Sequence, residues 1–169
     1  AKGGFDAQES AGWLAPIAHC FDLSVFELVV PLSWRGKVIL AGNILQLPDL
    51  SARDDITLIN TGPSAMTELL RLDAVPPGVK VINMGGELLT AALADRIYQQ
   101  TKVQKVFDLY GPTEDTVYSM VAQRKPGAPA TIGRPIHGTQ VYILDGHLHP
   151  VPIGVHGEID RGGDGLARN

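Results

Sequence analysis

The chain has 169 residues, a net charge of −4 at pH 7, and 44% apolar against 19% charged side chains. This length fits one domain of roughly 100 to 200 residues, and the composition excludes a disordered chain. Because the balance is acidic and no basic run occurs, the sequence argues against nucleic acid and anionic lipid as partners.

Cysteine usage and hydropathy predict a cytoplasmic protein without a membrane segment. Cys20 is the only cysteine, which excludes an internal disulfide framework and a cysteine-cluster metal site and is typical of a reducing compartment. The longest apolar stretch, residues 25–32, is too short to span a bilayer and contains Glu27 and Pro31. The segment AKGGFDAQES has no apolar h-region, so no signal peptide is expected, and the missing initial Met suggests a piece of a longer chain.

Short apolar runs alternate with amphipathic stretches through the first two thirds of the chain. The apolar runs predict strands, and apolar residues recurring every three to four positions predict helices. The helix over residues 90–100 is the clearest, because Leu89, Leu93 and Ile97 share one face and Thr90 suits an N-cap. In chain order we predict a strand at 13–18, a helix at 23–34, strands at 37–41 and 56–60, a helix at 63–72, a strand at 80–84, the helix at 90–100 and a strand at 103–109.

The pattern changes at Tyr118, after which strands follow one another without helices. They are predicted at residues 118–123, 139–144 and 157–159. We therefore predict an α/β fold: a mainly parallel sheet flanked by helices on both faces, with a short antiparallel C-terminal extension packed on its edge. Such sheets bind ligands beyond the carboxyl ends of their strands, so the loops after the strands form the candidate site.

Several common catalytic motifs are missing from the sequence. It has no GxxxxGK[ST] loop, no GxGxxG fingerprint and no GxSxG elbow, and so predicts neither a P-loop, nor a dinucleotide fold, nor a covalent nucleophile. His147, His149 and His156 could hold a metal ion from one strand face, although surface turn histidines are the commoner occurrence.

Three loops that follow predicted strands carry residues suited to a ligand site. Asp22 lies between a strand and a helix, where it is either a helix N-cap or a charged contact for a ligand. Gly85 and Gly86 precede Glu87 and either form a tight turn or let a ligand approach the backbone. Residues 108–114 combine an aromatic ring, a rigid turn, a hydroxyl group and a carboxylate suited to Mg²⁺. Three such loops on one sheet edge favour a shared site.

These motifs, in their order along the chain, resemble the adenylation domains of nonribosomal peptide synthetases, which belong to the acyl-adenylate-forming ligase superfamily. The matching segments are FDLS at 21–24, GGE at 85–87, YGPTE at 110–114, IGRP at 132–135, GEI at 157–159 and GDGLAR at 163–168. The resemblance spans nearly the whole chain and implies the flavodoxin-like subdomain of such a ligase. Residues 1–125 would form the α/β substrate-pocket subdomain, and 126–169 an antiparallel β extension of the same single domain.

The resemblance implies a role for each matching residue. Asp22 would pair with the α-amino group of an amino-acid substrate. Thr113 and Glu114 would be catalytic, the first contacting the α-phosphate and the second binding Mg²⁺. Asp108 would bond the adenine amino group, and Tyr110 would lie against adenine. The full nucleotide site would comprise Gly85, Gly86, Glu87, Asp108, Tyr110, Gly111 and Thr113. The amino-acid pocket would be lined by Asp22, Leu23, Phe26, Ser64, Asn83, Gly85, Leu109, Val117 and Tyr118.

The same resemblance implies substrates and partners. The mostly neutral pocket lining favours a small neutral amino acid such as alanine or glycine, with ATP and magnesium as cofactors. The full parent would form an aminoacyl-adenylate and load it on a peptidyl carrier protein. The family's phosphate loop, ribose-binding aspartate and C-terminal domain with its catalytic lysine do not occur in these residues, so we expect the isolated chain to be inactive. Surface that the remainder of the adenylation domain would cover could drive self-association.

Departures from the family's pattern open further hypotheses. Asp160 and Arg161 stand where the family has apolar residues, which favours an engineered or evolved stand-alone subdomain with a repaired surface over a divergent natural fragment. The alternative function is a non-catalytic scaffold or transplantable module without ligand binding of its own. A fragment of a carboxylate–CoA ligase is disfavoured, because Asp22 would then lack an amino group to pair with.

Overall fold

The computed structural model describes residues 6, 8–18, 20–115 and 117–167. The larger elements are β1 (Gly12–Ala15), α1 (Leu23–Ser33), β2 (Lys37–Leu40), β3 (Leu58–Thr61), α2 (Pro63–Arg71), β4 (Val81–Gly85), α3 (Ala91–Gln100), β5 (Lys105–Tyr110), β6 (Met120–Arg124), β7 (Arg134–Pro135), β8 (Thr139–Leu144) and β9 (Glu158–Gly163). Short 3₁₀ helices, which we did not predict, lie at Ile44–Asp49, Arg53–Asp55 and Thr113–Asp115.

Seven strands form one sheet in the order β2-β1-β3-β4-β5-β6-β7. The strands β2, β1, β3, β4 and β5 run parallel to one another. β6 pairs antiparallel with β5, and β7 pairs antiparallel with β6. The order 2-1-3-4-5 is that of flavodoxin-like sheets. The predicted α/β class with a mainly parallel sheet is therefore confirmed.

Helices cover both faces of this sheet, as the alternating pattern predicted. Neighbouring residues of a strand point to opposite faces. On one face Ile59 packs in a buried cluster with Met66 of α2 and Ile97 of α3. On the other face the buried ring of Trp13 packs with the ring of Phe26 from α1.

The predicted helices are confirmed, and the strand bounds differ by a few residues. α1 begins after Asp22, whose Oδ1 accepts a hydrogen bond from Leu23 N–H at 2.7 Å. α3 begins after Thr90, whose Oγ1 accepts from Leu93 N–H at 3.2 Å. β1 ends at Ala15 instead of continuing to residue 18, because the next residue is a proline and has no N–H to donate to the sheet.

The C-terminal extension differs in part from the prediction. β6 and β7 do extend the edge of the large sheet, but β8 and β9 pair with each other in a separate two-stranded antiparallel sheet. Gly138, with φ of 87°, turns the chain between β7 and β8. The predicted boundary after residue 125 falls between β6 and β7 and stays a prediction. Among the described residues, no helix is both long and apolar enough to cross a membrane.

Candidate functional site

The loops at the carboxyl ends of β1, β3, β4 and β5 meet at one edge of the sheet, because parallel strands end on the same side. Asp22 follows β1, Gly86 follows β4 and Gly111 follows β5. The structure therefore brings the FDLS, GGE and YGPTE segments to one edge.

The first turns of α1 contact the segment that follows β5. Asp22 is half-buried and caps α1, which is one of the two roles predicted for it. Leu23 beside it is also half-buried. The ring of Phe26 lies edge-on to the ring of Tyr118, with 5.3 Å between centroids. Burial raises the pKa of Tyr118, and the charges of Glu27 and Asp22 raise it further. Asp22, Phe26 and Tyr118, all predicted pocket residues, are thus neighbours.

A chain of hydrogen bonds, which we call the buried triad, runs beneath this contact through Glu27 of α1, Asn60 of β3 and Tyr118. Asn60 Nδ2 donates to Glu27 Oε1 at 3.2 Å, and Tyr118 Oη donates to Asn60 Oδ1 at 3.1 Å. The other carboxylate oxygen of Glu27 accepts from Ile17 N–H at 3.3 Å. Glu27 and Asn60 are completely buried, and burial raises the pKa of Glu27 to about 7.

Asn83 and Gly85 of β4 lie next to the buried triad. Asn83 lies directly opposite Asn60 in the β3–β4 register and is completely buried. Within the described part of the chain, neither amide atom of Asn83 has a hydrogen-bond partner. A Cβ on Gly85 would lie 3.1 Å from Leu109 O and 3.2 Å from Tyr118 Cε1, so a side chain here would crowd both neighbours. A buried amide without a partner costs about 1–3 kcal/mol, which makes Asn83 suited to a polar ligand.

Sequence reasoning missed Glu27 and Asn60 and selected Ser64 instead. Ser64 is exposed at the start of α2, and both its N–H, at 3.1 Å, and its hydroxyl donate to Glu87 Oε2. It lines a separate cavity of about 330 Å³, which also includes Thr67 and Glu87. The sequence feature that could have identified Glu27 as a site residue is its position four residues after Leu23, which places both on the same helical face.

A cavity of about 490 Å³ lies beyond the carboxyl ends of β4 and β5. Its lining includes Gly86, Glu87, Asp108, Tyr110 and Gly111, together with residues 88, 89, 109 and 130–132. Tyr110 is 40% exposed, so part of its ring is open to a ligand. Five of the seven predicted nucleotide-site residues therefore share one cavity.

Asp108 is held in this cavity wall by a buried ion pair. Its Oδ2 accepts a hydrogen bond from Arg124 Nη1 at 3.0 Å, and the Arg124 side chain is only 2% exposed. Burial raises the pKa of Asp108, while the charge and hydrogen bond of Arg124 act in the opposite direction.

The YGPTE loop turns sharply at Gly111. A Cβ on Gly111 would lie 2.6 Å from Tyr118 Cα, so a glycine is required at this close approach. Thr113 and Glu114 follow, both exposed on the 3₁₀ helix Thr113–Asp115. Asp115 is buried and accepts a hydrogen bond from the Ser119 hydroxyl at 2.5 Å, which anchors the loop. The loop thus presents a hydroxyl and a carboxylate to solvent from a fixed base.

Val117, another predicted pocket residue, lies in the same segment with a strained backbone. It is half-buried, and its φ of 73° falls in the left-handed region that β-branched residues avoid. Such strain is found preferentially at functional sites.

The C-terminal end of the described chain contacts this loop as well. Ala167 N–H donates to Glu114 O at 2.8 Å. The guanidinium of Arg161 lies 5.9 Å from the centroid of the Tyr110 ring, whereas Asp160 is exposed. Arg168, the last residue of the predicted GDGLAR motif, lies outside the described residues.

The described residues hold no group of three or more His, Cys, Asp and Glu side chains able to bind a metal ion alone. His147, His149 and His156 are exposed, and the described residues do not bring them together as a three-histidine metal site. Mg²⁺ usually takes one or two protein carboxylates and completes its shell with phosphate oxygens and water. The exposed carboxylate of Glu114 fits that smaller requirement.

Comparison with known proteins connects this site to a family. Residues 2–169 match the family described as AMP-binding enzyme. The chain is 55% identical to part of a linear gramicidin synthase of Brevibacillus parabrevis, over 99% of this chain and 3% of that protein. It is 46% identical to part of the AMB antimetabolite synthetase AmbB of Pseudomonas aeruginosa, over 97% of this chain and 14% of that protein.

Among solved structures, the chain is similar to a four-domain nonribosomal peptide synthetase bound to AMP and glycine. The TM-score is 0.81 at 33% identity, over 94% of this chain and 12% of that chain. The chain therefore spans only a small part of the proteins that it matches.

Proposed function

The chain belongs to the AMP-binding enzyme family, and we propose that it is the substrate-selecting subdomain of an amino-acid-adenylating ligase. The family match, together with the synthetase relatives and the similar nonribosomal peptide synthetase structure, confirms the predicted resemblance to adenylation domains. The observation that carries this proposal is the cavity of about 490 Å³ at the carboxyl ends of β4 and β5, where the GGE and YGPTE loops meet. Ligands bind at this end of parallel sheets.

The cavity is proposed to hold the adenine of ATP. Asp108 supplies a carboxylate acceptor for the amino group of adenine, and the half-open ring of Tyr110 supplies a stacking surface. Thr113 and Glu114 lie three and four residues after Tyr110 on the anchored 3₁₀ helix. Thr113 would donate to the α-phosphate, and Glu114 would share Mg²⁺ with the phosphates, where the ion neutralises negative charge.

The amino acid is proposed to lie between α1 and the end of β4. Asp22 supplies a carboxylate for its α-amino group, and Phe26, Leu109 and Val117 supply apolar contacts. Asn83, Asn60 and Tyr118 supply neutral polar groups, and Gly85 leaves room where any side chain would press on Leu109 and Tyr118. Such a lining favours a small neutral substrate such as alanine or glycine.

The complete reaction is proposed to need the remainder of the adenylation domain. Attack of a carboxylate on ATP requires positive charge around the α-phosphate. Arg124 is paired with Asp108, and Arg161 lies over the ring of Tyr110. We therefore expect no useful rate of aminoacyl-adenylate formation from these residues alone, and propose that a peptidyl carrier protein receives the product of the whole enzyme.

The proposal is tested by a two-dimensional NMR titration of the chain with a non-hydrolysable alanyl-adenylate analogue. We expect saturable shift changes at Gly85, Gly86 and the YGPTE loop. Asp22→Ala should weaken binding by about tenfold, the order expected for a lost charge-assisted hydrogen bond. Asp22→Asn is the matched control, because the amide oxygen can still cap α1 while the charge that pairs with an amino group is removed.

If both variants bind weakly, the charge of Asp22 carries recognition. If Asp22→Asn binds as the wild type does, Asp22 acts only as a helix cap. A well-dispersed spectrum without shift changes at millimolar analogue would favour the alternative function, a scaffold module without ligand binding of its own.

A further inference from the structure

Arg124 is a buried cation that connects three elements behind the cavity. Its Nη1 donates both to Asp108 Oδ2 of β5, at 3.0 Å, and to Leu89 O before α3, at 2.9 Å. Its own carbonyl accepts from Tyr98 Oη of α3 at 2.8 Å, and Tyr98 Oη accepts from Val106 N–H at 3.0 Å. Asp108 and Leu89 line the cavity, whereas Arg124 is not part of the lining. Arg124 therefore acts on the cavity only through the residues that it holds.

We propose that Arg124 is a positioning residue that keeps Asp108 a charged hydrogen-bond acceptor and thereby sets a preference for adenine over hypoxanthine. The inference rests on the proposed function, since it assumes that the cavity receives a purine. Adenine presents an amino donor at its 6-position, and hypoxanthine presents a carbonyl acceptor at the same place. An ionised carboxylate only accepts, so it matches the first and repels the second.

The pair is poorly explained by stability alone. Burying an ion pair often gives no net stabilisation relative to apolar residues of similar volume, because both charges lose their hydration. Arg124 Nη2 is buried without a partner among the described residues, which adds to this cost. Arg124 is the only side-chain partner that the described residues give Asp108. Among the described residues Arg124 bonds only Oδ2, so Oδ1 of this cavity-lining carboxylate remains able to accept a hydrogen bond from a ligand.

Among the described residues, Arg124 is the only cation that forms an ion pair with Asp108. β4, on one side, has no titratable side chain in Val81–Gly85. Glu87 and Tyr110 line the same cavity as Asp108, and Arg161 lies over the ring of Tyr110. Tyr98 of α3 contacts the backbone carbonyl of Arg124. Burial already raises the pKa of Asp108, and Arg124 alone lowers it. Removal of the guanidinium should therefore shift Asp108 toward its protonated form, which can donate to a carbonyl.

The experiment compares AMP and IMP binding to the whole chain by NMR titration at about pH 6 and about pH 8. The ratio of the two affinities is the readout, because ionisation of the shared phosphate affects both probes alike. We expect the wild type to prefer AMP by about tenfold at both pH values, the order set by one charge-assisted hydrogen bond. Arg124→Met should show a weaker AMP preference at the lower pH than at the higher pH, because loss of the guanidinium favours the protonated form of Asp108.

Arg124→Lys is the conservative control. Its ammonium group keeps a positive charge near Asp108, so it should retain the AMP preference at both pH values even if the link to Leu89 O weakens and the protein loses stability. A structural role alone would change the affinities for AMP and IMP together and would leave their ratio independent of pH.

The outcomes separate the two proposals. A wild type that binds neither nucleotide overturns the proposed purine site and this inference with it. A wild type that binds both equally keeps the purine site and overturns the inference. A wild type that prefers AMP, with an Arg124→Met variant that keeps the same ratio at both pH values, overturns the inference alone. Should Arg124→Met fail to fold, loss of the AMP preference in a folded Arg124→Lys variant would equally overturn it.

Discussion

Replacing Glu27 by glutamine tests whether the buried triad makes stability depend on pH. Glu27 is completely buried, and its carboxylate accepts hydrogen bonds from Asn60 Nδ2 at 3.2 Å and Ile17 N–H at 3.3 Å. These bonds favour the charged form, but burial outweighs them and raises the pKa from 4.5 to about 7. The folded protein therefore binds a proton here more tightly than the unfolded chain does.

The sign and size of the effect follow from proton linkage. Below the unfolded pKa both states are protonated, and no stability is lost. As the pH rises toward the folded pKa of about 7, Glu27 ionises in the unfolded chain before it ionises in the folded protein. This ionisation stabilises the unfolded chain, so the free energy of unfolding falls. Integration over the two pKa values gives a loss of about 2.5 kcal/mol between about pH 5 and about pH 8. Glutamine cannot ionise and should remove this loss.

Urea denaturation, followed by tryptophan fluorescence to which buried Trp13 contributes, measures the free energy of unfolding at both pH values. We expect Glu27→Gln to exceed the wild type by about 2 kcal/mol at the higher pH and to match or fall slightly below it at the lower pH, since the amide satisfies only part of the hydrogen bonding. The control is Glu68→Gln on the exposed face of α2, which loses only a surface pair with Arg71 and should change stability by under about 1 kcal/mol. Equal pH dependence in the wild type and Glu27→Gln would refute the reasoning.

Three further predictions concern the loop, the triad and the last strand. Gly111→Ala should destabilise the chain by about 1–3 kcal/mol in urea, because its Cβ meets Tyr118 Cα at 2.6 Å, whereas Gly146→Ala, with no atom within 4 Å of the new Cβ, should not. Tyr118→Phe leaves the buried Asn60 Oδ1 without its donor and should cost about 1–3 kcal/mol, against little for Tyr142→Phe, whose bond is exposed. Because burial raises the pKa of Tyr118, this variant should also leave the phenolate absorbance unchanged up to about pH 10. Replacing Asp160 and Arg161 together by leucine should increase concentration-dependent association in sedimentation velocity, and unchanged sedimentation would contradict the hypothesis of a repaired surface.

Local sequence pattern determined most of the elements and their approximate bounds. The helix at Ala91–Gln100 could be predicted because apolar residues recur at helical spacing and Thr90 can cap the helix. The parallel sheet followed from alternating strands and helices, and the placement of three motifs at strand ends followed from the sheet. These features depend on neighbours a few residues apart, which is the range over which sequence patterns carry information.

The partners of the buried polar residues were decided only by tertiary structure. Asn60 and Ser64 are four residues apart, and only the transition from β3 to α2 decides that Asn60 joins Tyr118 while Ser64 turns outward to Glu87. Likewise, Asp108 meets Arg124 because the β5–β6 register pairs Asp108 with Ala122 and leaves Arg124 diagonal to it.

The physical reason is the range of the interactions. The spacing of apolar residues within one element indicates which of its faces is buried, whatever the other elements are. A buried charge or amide must find a particular partner, and that partner comes from a strand or helix whose register is set by loops and by packing of the whole core. The sequence by itself therefore determined the class of fold and the loops that form the site, while the polar contacts that tune the site arose only from the assembled sheet.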